Sequence, residues 1–243
     1  MKRFPYKSIL TLVCLNAVLY VFIVVFDVMK AVNSVTPEQG LLCDSFKYAA
    51  IISCLIMCVI SYKRTGERTP LIQSIVFSFT LGADLFLLFT PFFAVGVFIF
   101  IGAHICALIR YRPRWALPAG ICAAAVFVLA ALFASKTLRA DAELTIIISV
   151  CAAYAVLIIS VTISTFHSPQ ARINTLFSRF GMCLFLACDV NVAFFNALPA
   201  DAPAYTASIV LMWLFYLPAQ TLLALSACKW PEAEKKPEAA NST

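Results

Sequence analysis

The chain has 243 residues, of which 63% are hydrophobic and only 12% are charged. A soluble domain usually carries about twice that charged fraction, and a soluble chain of this length could not bury so much apolar surface. The composition therefore excludes a soluble protein and indicates one embedded in lipid. The formal net charge of +6 comes from Lys and Arg scattered in short loops, which argues against a nucleic-acid-binding surface and suggests topology signals.

Eight apolar windows follow one another along the chain, each about 18 to 24 residues long, enough to cross a ~30 Å hydrocarbon core as a helix. They cover residues 8–29, 44–62, 71–89, 92–109, 115–134, 144–166, 177–197 and 205–228. The first window is too long for a signal peptide and lacks a cleavage pattern. Pro91 predicts a tight hairpin at Thr90-Pro91 rather than one long helix. The sequence thus predicts an all-α, polytopic transmembrane bundle of eight helices over residues 1–228.

The basic residues predict the orientation of this bundle. With eight spans, all but four of the 18 Lys and Arg residues fall on the side of the two termini. The four on the other side are Lys30, Lys47, Lys136 and Arg139. Because cytoplasmic loops are enriched in Lys and Arg, we expect both termini in the cytoplasm, with residues 229–243 forming a disordered cytoplasmic tail. The expected location is a bacterial inner membrane, crossed several times.

Cysteine and histidine give no sign of a metal or a disulfide framework. Nearly all of the ten Cys lie within apolar windows and no CxxC occurs, so we expect buried, reduced thiols. His104 and His167 are the only two histidines and lie in different windows. We therefore expect no metal site and no cofactor.

Two carboxyl groups stand out because ionisable residues inside membrane helices cost about 2.5–3.5 kcal/mol on insertion scales. Asp84 lies in the third window and Asp189 in the seventh, both about 18–20 Å from the predicted cytoplasmic side at 1.5 Å per residue. At matching depth they could face one cavity, or they could lie on opposite sides of the bundle. A structural role, as partners of nearby polar groups, is the alternative interpretation.

Other polar residues in the windows permit both functional and structural interpretations. His104 can hydrogen-bond across helices as a neutral imidazole. Tyr216 and Gln220 are four residues apart and share a helix face, whereas Asn191 lies nearly opposite Asp189. Asp27 and Lys47 lie near helix ends, from which their side chains can reach the membrane interface.

Four short motifs follow one another along helices three to eight. The residues are Gly82, Asp84, Leu85 and Leu87; Phe93, Gly96, Phe100 and His104; Arg179, Gly181, Phe185 and Asp189; and Tyr216, Ala219 and Gln220. In this order the chain resembles the lysoplasmalogenase (YhhN-type) family of integral membrane proteins, which also has eight helices. It departs from the family pattern where Ala83 precedes Asp84, where Cys188 replaces a serine, and where Lys47 is followed by Tyr48.

The resemblance implies a hydrolase that cleaves the vinyl-ether bond of lysoplasmalogens with ethanolamine or choline head groups, giving a fatty aldehyde and a glycerophospho-head group. Protonation of the alkene requires a carboxylic acid that holds its proton near neutral pH, and a second carboxylate can stabilise the resulting cation. Asp84 and Asp189 are the candidates for these catalytic roles. The implied partners are a lysophospholipid substrate and the bilayer.

The same resemblance implies supporting roles for other side chains. His104, Tyr216, Gln220 and Asn191 would position water or the phosphoglycerol end of the substrate. Lys47 would contact the phosphate. No metal or other cofactor is required by this chemistry.

The leading alternative is a proton-coupled transporter, which also places carboxylates at mid-depth. Asp84 and Asp189 lie four helices apart, which hints at a parallel internal repeat. However, Pro118 and Pro218 do not occupy corresponding places in the two halves, as broken transporter helices would. A zinc-dependent lipid hydrolase ranks third because histidines are scarce, and a purely structural membrane protein remains an alternative.

Overall fold

The computed structural model describes residues 6–32, 35–111, 115–137, 139–168 and 170–230. These ranges include all eight apolar windows of the sequence in full. Of the predicted tail 229–243, only Lys229 and Trp230 are described, so the predicted disorder of the tail lies outside the described residues.

Each predicted window corresponds to one α-helix, and each helix is long and apolar enough to span a bilayer. The helices are α1 (Tyr6–Ala31), α2 (Pro37–Thr65), α3 (Arg68–Phe89), α4 (Phe93–Tyr111), α5 (Ala116–Thr137), α6 (Ala142–Phe166), α7 (Arg172–Ala197) and α8 (Pro203–Leu225). Among the described residues, the prediction of an all-α bundle with eight helices is confirmed, and the chain is an integral, multi-pass membrane protein. The orientation of the termini stays a prediction.

The boundaries of α2 follow from local capping chemistry. The Thr36 hydroxyl accepts from the Gln39 backbone N–H while the Gln39 side chain accepts from the Thr36 N–H, forming a capping box. Such a box satisfies two backbone donors that have no partner inside the helix. At the other end Gly66 adopts φ +66°, the left-handed conformation that suits a glycine after a helix C-terminus.

The hairpin predicted at Thr90-Pro91 is present between α3 and α4. The Thr90 hydroxyl donates to the Phe86 carbonyl oxygen at 2.8 Å and accepts from the Phe92 backbone N–H at 3.3 Å. Pro91 has no N–H to continue the helix. The chain therefore reverses direction within a few residues and brings α4 back along α3.

The helices pack as a ring with two outer additions. Helices α2, α3, α4, α6, α7 and α8 contact one another in that order and close the ring through α8 and α2. Helix α1 packs against α2 and α8, and α5 packs against α6 and α4. Among the described residues, a shift of four helices maps each of these packing pairs onto another, so α1–α4 are arranged as α5–α8 are. Helices α3 and α7, which carry the two aspartates, therefore occupy equivalent places.

Two glycines permit the close helix contacts around the centre of the ring. A Cβ added to Gly96 on α4 would lie 2.6 Å from the Leu87 side chain and 3.1 Å from the Ala83 carbonyl oxygen on α3. A Cβ added to Gly181 on α7 would lie 2.9 Å from the Leu223 side chain on α8. Because these distances are shorter than normal carbon contacts, a larger residue would force the leucine side chain or the helix that carries it to move.

Candidate active site

A cavity of about 300 Å³ lies inside the helix bundle. Its walls come from α1, α2, α3, α4, α6, α7 and α8. The lining residues lie in the second halves of α1, α3 and α7, in the first halves of α2 and α4, in the middle of α6, and in the first two thirds of α8. The cavity therefore sits toward the end of the bundle opposite the start of α1 and the end of α8.

Asp84 reaches this cavity from α3 and is almost completely buried, with 3% of its surface exposed. The Tyr216 hydroxyl on α8 donates to both of its carboxylate oxygens, at 3.0 Å to Oδ1 and 2.8 Å to Oδ2. A hydrogen bond to a charged group is stronger than one between neutral groups. The Tyr216 hydroxyl therefore fixes the orientation of this carboxyl group and suits its ionised form.

Asp189 reaches the same cavity from α7 and is only partly buried. The Tyr154 hydroxyl on α6 donates to its Oδ2 at 2.7 Å. Within the described part of the chain, its Oδ1 accepts or donates no hydrogen bond. One oxygen of Asp189 is thus held by the protein, while the other is free to meet a bound molecule.

The two carboxyl groups line one cavity. Each is held by a tyrosine from a different helix, Asp84 by α8 and Asp189 by α6. Two interacting carboxyl groups titrate as a pair, and such a pair can hold a single proton between them. The arrangement can therefore present one acid and one carboxylate to the same substrate.

An aromatic wall supports the two tyrosines. The Phe185 ring lies 5.4 Å from the Tyr216 ring and 5.9 Å from the Phe100 ring, measured between centroids. The His104 ring lies 5.0 Å from the Tyr154 ring and 5.5 Å from the Phe185 ring. Phe100 and Phe185 themselves line the cavity, so this apolar packing both shapes the cavity and holds the tyrosine hydroxyls in place.

The positioning residues predicted from the sequence fall into two groups. Tyr216 and Lys47 line the cavity. His104, Gln220 and Asn191 are not among the described residues that line it: His104 packs behind Tyr154, Gln220 is 1% exposed, and the Asn191 amide donates to the Ala187 carbonyl oxygen of its own helix at 2.8 Å. Roles for these three residues stay predictions, and their placement makes them indirect.

A charged cluster, formed by Asp27, Lys30, Asp44 and Lys47, lines another part of the cavity wall. The Lys47 ammonium lies 2.7 Å from Asp27 Oδ1, 3.5 Å from Asp44 Oδ1 and 5.0 Å from the centre of the Trp213 ring. The sequence suggested that Asp27 and Lys47 reach the membrane interface, but the structure buries both, at 1% and 4% exposure. Packing of α1 on α2 brings the opposite charges together, so neither side chain has to reach water.

Sequence reasoning missed Tyr154, Asp44 and Trp213 as cavity residues. Tyr154 is a lone phenol in the apolar α6, and nothing in its neighbourhood separates it from a packing residue. The pairing of Asp27 with Lys47 had a usable signal, because opposite charges lie near the connected ends of two consecutive helices. In the described ranges, no group of three or more His, Cys, Asp and Glu side chains is arranged to hold a metal ion.

The model of the YhhN family matches residues 43–227, which covers most of α2 and all of α3 to α8 and includes Asp84 and Asp189. No curated protein and no solved structure matches the chain.

Proposed function

The chain belongs to the YhhN family, and on that premise we propose that it is a membrane hydrolase that cleaves the vinyl-ether bond of lysoplasmalogens. The observation that supports this proposal is the pair of tyrosine-held carboxyl groups, Asp84 and Asp189, in one cavity within the membrane-spanning bundle. Vinyl-ether cleavage needs an acid, a stabilising carboxylate and water, and it needs no redox partner.

The reaction begins with proton transfer to the outer carbon of the alkene. That step converts the vinyl ether into an oxocarbenium ion, whose positive charge is shared by the ether oxygen and the inner carbon. Water then adds to the inner carbon, and its released proton returns to the carboxyl pair. The resulting hemiacetal breaks its bond to the glycerol oxygen, giving a fatty aldehyde and a glycerophospho-head group with a free hydroxyl.

The two carboxyl groups differ in a way that suits them to different roles. Asp189 has a free Oδ1 on the cavity and is the better placed proton donor. Asp84 has both oxygens engaged by the Tyr216 hydroxyl, which holds its carboxyl group in one orientation. We assign proton transfer to Asp189 and stabilisation of the developing cation to Asp84, because fixed charges act strongly where water is excluded.

The remaining lining of the cavity suits an amphiphile with one chain. Apolar side chains from several helices line it alongside the polar groups: Leu87, Leu88, Phe93, Val97, Ile209 and Met212. An alkenyl chain can lie against these residues while the glycerophospho-head group meets the polar end. A substrate dissolved in the bilayer therefore needs to leave lipid only in part.

The test is aldehyde release by the purified protein from lysoplasmenyl-ethanolamine and lysoplasmenyl-choline. Asp84→Asn and Asp189→Asn should each abolish release, whereas Asp201→Asn, in an exposed loop, should retain it. A saturated alkyl-ether lysolipid should give no aldehyde, since it has no alkene to protonate. Equal release by the parent and both cavity variants would remove the carboxyl pair from the mechanism, and no release by the parent would refute the activity.

Transport is the second candidate, and the repeated packing of α1–α4 and α5–α8 is the observation that favours it. Parallel internal repeats occur in transporters, and carboxyl groups within membrane helices mark proton relays. Proteoliposomes separate the two functions. A carrier would accumulate an intact alkyl-ether lysolipid in response to a proton gradient, whereas a hydrolase would release aldehyde without any gradient.

A further inference from the structure

We propose that the charged cluster is a head-group site that selects a primary ammonium, so that ethanolamine lysolipids bind better than choline lysolipids. This inference deepens the proposed function, because it rests on a lysophospholipid being the substrate. It concerns residues that the catalytic scheme does not use. Two of them, Asp27 and Lys30, belong to α1, which precedes the residues matched by the family model.

The cluster and the carboxyl pair share one cavity, so one molecule can meet both. A short series of contacts joins them. The Lys47 ammonium lies over the Trp213 ring, the Trp213 and Tyr216 ring centres are 4.9 Å apart, and the Tyr216 hydroxyl holds Asp84. A head group bound at the cluster would therefore place the adjoining glycerol and ether segment toward the carboxyl pair.

Asp27 supplies the observation that points to a ligand. Its side chain is 2% exposed, and Oδ1 is paired with the Lys47 ammonium at 2.7 Å. Its Oδ2 is buried and has no hydrogen-bond partner within the described part of the chain. A buried acceptor without a partner costs free energy, more so when the group is charged. Asp27 lines the cavity, so an N–H donor bound there would meet this carboxyl group.

The charges of the cluster complement a zwitterionic head group. Asp27 and Asp44 each carry a negative charge as ion-pair partners, and Lys47 carries the one positive charge between them. These three groups sum to one negative charge, which an ammonium would balance, and Lys30 makes the four-residue cluster neutral overall. Lys30 also lines the cavity and is exposed at the end of α1, where it can meet the phosphate of the same head group.

Hydrogen bonding and packing both favour a primary over a quaternary ammonium. Ethanolamine has three N–H donors for Asp27 Oδ2 and the partly exposed Asp44 carboxylate, whereas choline has none. Quaternary ammonium groups are usually bound on open aromatic faces. Here the Trp213 ring, which lines the cavity, already has the Lys47 ammonium 5.0 Å from its centre.

The experiment compares head groups at constant chain length in the purified, full-length protein. Binding is measured with saturated 1-O-alkyl lysolipids carrying ethanolamine, choline or a bare phosphate, and hydrolysis with the matching vinyl ethers. We expect the ethanolamine lipid to bind at least about tenfold more tightly than the other two, the size expected for charge-assisted hydrogen bonds. Equal affinities for the three lipids would overturn the proposal.

Two variants test whether Asp27 and Asp44 cause the preference for ethanolamine lysolipids. Asp27→Asn should reduce the ethanolamine preference to within about twofold, and Asp44→Asn, which leaves the Asp27–Lys47 pair intact, should weaken it partially. Asp201→Asn should keep it. If Asp27→Asn does not fold, Asp44→Asn carries the test, and an unchanged head-group ratio in that variant contradicts the proposal.

The two proposals fail in distinguishable ways. Ethanolamine-selective binding that depends on Asp27, without any aldehyde release, would leave the head-group site standing and refute the hydrolase. Aldehyde release that is lost in Asp84→Asn and equal for all head groups would do the reverse.

Discussion

The Tyr216 hydroxyl on α8 donates to both oxygens of the Asp84 carboxylate on α3, at 3.0 and 2.8 Å. The donor and the acceptor are 132 residues apart in sequence, and both are buried. The Tyr154 hydroxyl on α6 likewise donates to Asp189 on α7. Each candidate catalytic carboxyl group is therefore held by a tyrosine from a helix other than its own.

The first prediction concerns the removal of that hydroxyl. Tyr216→Phe should lower kcat for vinyl-ether hydrolysis by about 10- to 100-fold, the loss expected when a hydrogen bond to a charged group is deleted. The ring and its packing on Trp213 and Phe185 remain, so KM should change little. Steady-state aldehyde release measures both constants.

A matched control for this substitution is Tyr62→Phe, which removes a hydroxyl from a partly exposed tyrosine away from the cavity. Its kcat should equal that of the parent. A Tyr216→Phe protein with parental kcat would show that the orientation of Asp84 does not depend on this bond.

The second prediction concerns the buried ion pair of Asp27 and Lys47. Breaking a buried pair by removing one partner typically costs about 3–5 kcal/mol, because the other charge is left without compensation. Asp27→Asn and Lys47→Met should therefore each lower the melting temperature in detergent markedly. The double variant should be less destabilised than the sum of the two single variants, since it leaves neither charge unpaired.

A thermal-unfolding double-mutant cycle checks this coupling. Lys229 and Glu67 provide the comparison, because their pair at 2.9 Å is largely exposed and exposed pairs contribute about 0–1 kcal/mol. If the Asp27 and Lys47 substitutions are simply additive, the ion pair does not stabilise the packing of α1 on α2.

The helices could be predicted from the sequence because lipid requires long apolar segments with internally bonded backbones. The apolar windows missed the first turns of a helix where those turns consist of polar residues. Helix α2 starts at Pro37, well before the apolar window at residue 44, because the Thr36 capping box extends it into a polar segment. Hydropathy detects the part of a helix that lipid covers, whereas capping determines where the helix begins.

Asp84 and Asp189 could be singled out from the sequence because carboxyl groups in apolar helices are costly. Their partners could not be identified in the same way. Whether Tyr154 or Tyr216 meets a carboxyl group depends on helix rotation and on which helices are neighbours, and α6 and α8 carry other polar side chains that face elsewhere. Lys47 was singled out as a phosphate contact without its partner Asp27, although the opposite charges near the connected ends of α1 and α2 were a usable signal for that pair.

The third prediction concerns the close approach of α4 to α3. Gly96→Ala places a methyl group 2.6 Å from the Leu87 side chain and 3.1 Å from the Ala83 carbonyl oxygen. Overpacking of this kind usually lowers the free energy of unfolding by about 1–3 kcal/mol. It would also displace Ala83, the residue before Asp84 on α3. We expect a lower melting temperature in detergent and a reduced rate of aldehyde release.

Gly40→Ala is the matched control, because a Cβ at Gly40 meets nothing within 4 Å and the residue lies in the first turn of α2. Alanine is favoured over glycine in helices, so this variant should be as stable as the parent or more so. A Gly96→Ala protein as stable as Gly40→Ala would show that α3 and α4 can separate without loss.

The fourth prediction follows from the Lys and Arg distribution, which indicates that both termini are cytoplasmic. Green fluorescent protein fluoresces in the bacterial cytoplasm, whereas alkaline phosphatase is active only outside it. A fusion after Trp230, just past α8, should therefore be fluorescent and lack phosphatase activity. A fusion after Leu198, in the connection from α7 to α8, should show phosphatase activity. The cavity lies toward the α7–α8 connection, so this result would place the cavity nearer the side opposite the cytoplasm. The reverse pattern would place the head-group site on the cytoplasmic side.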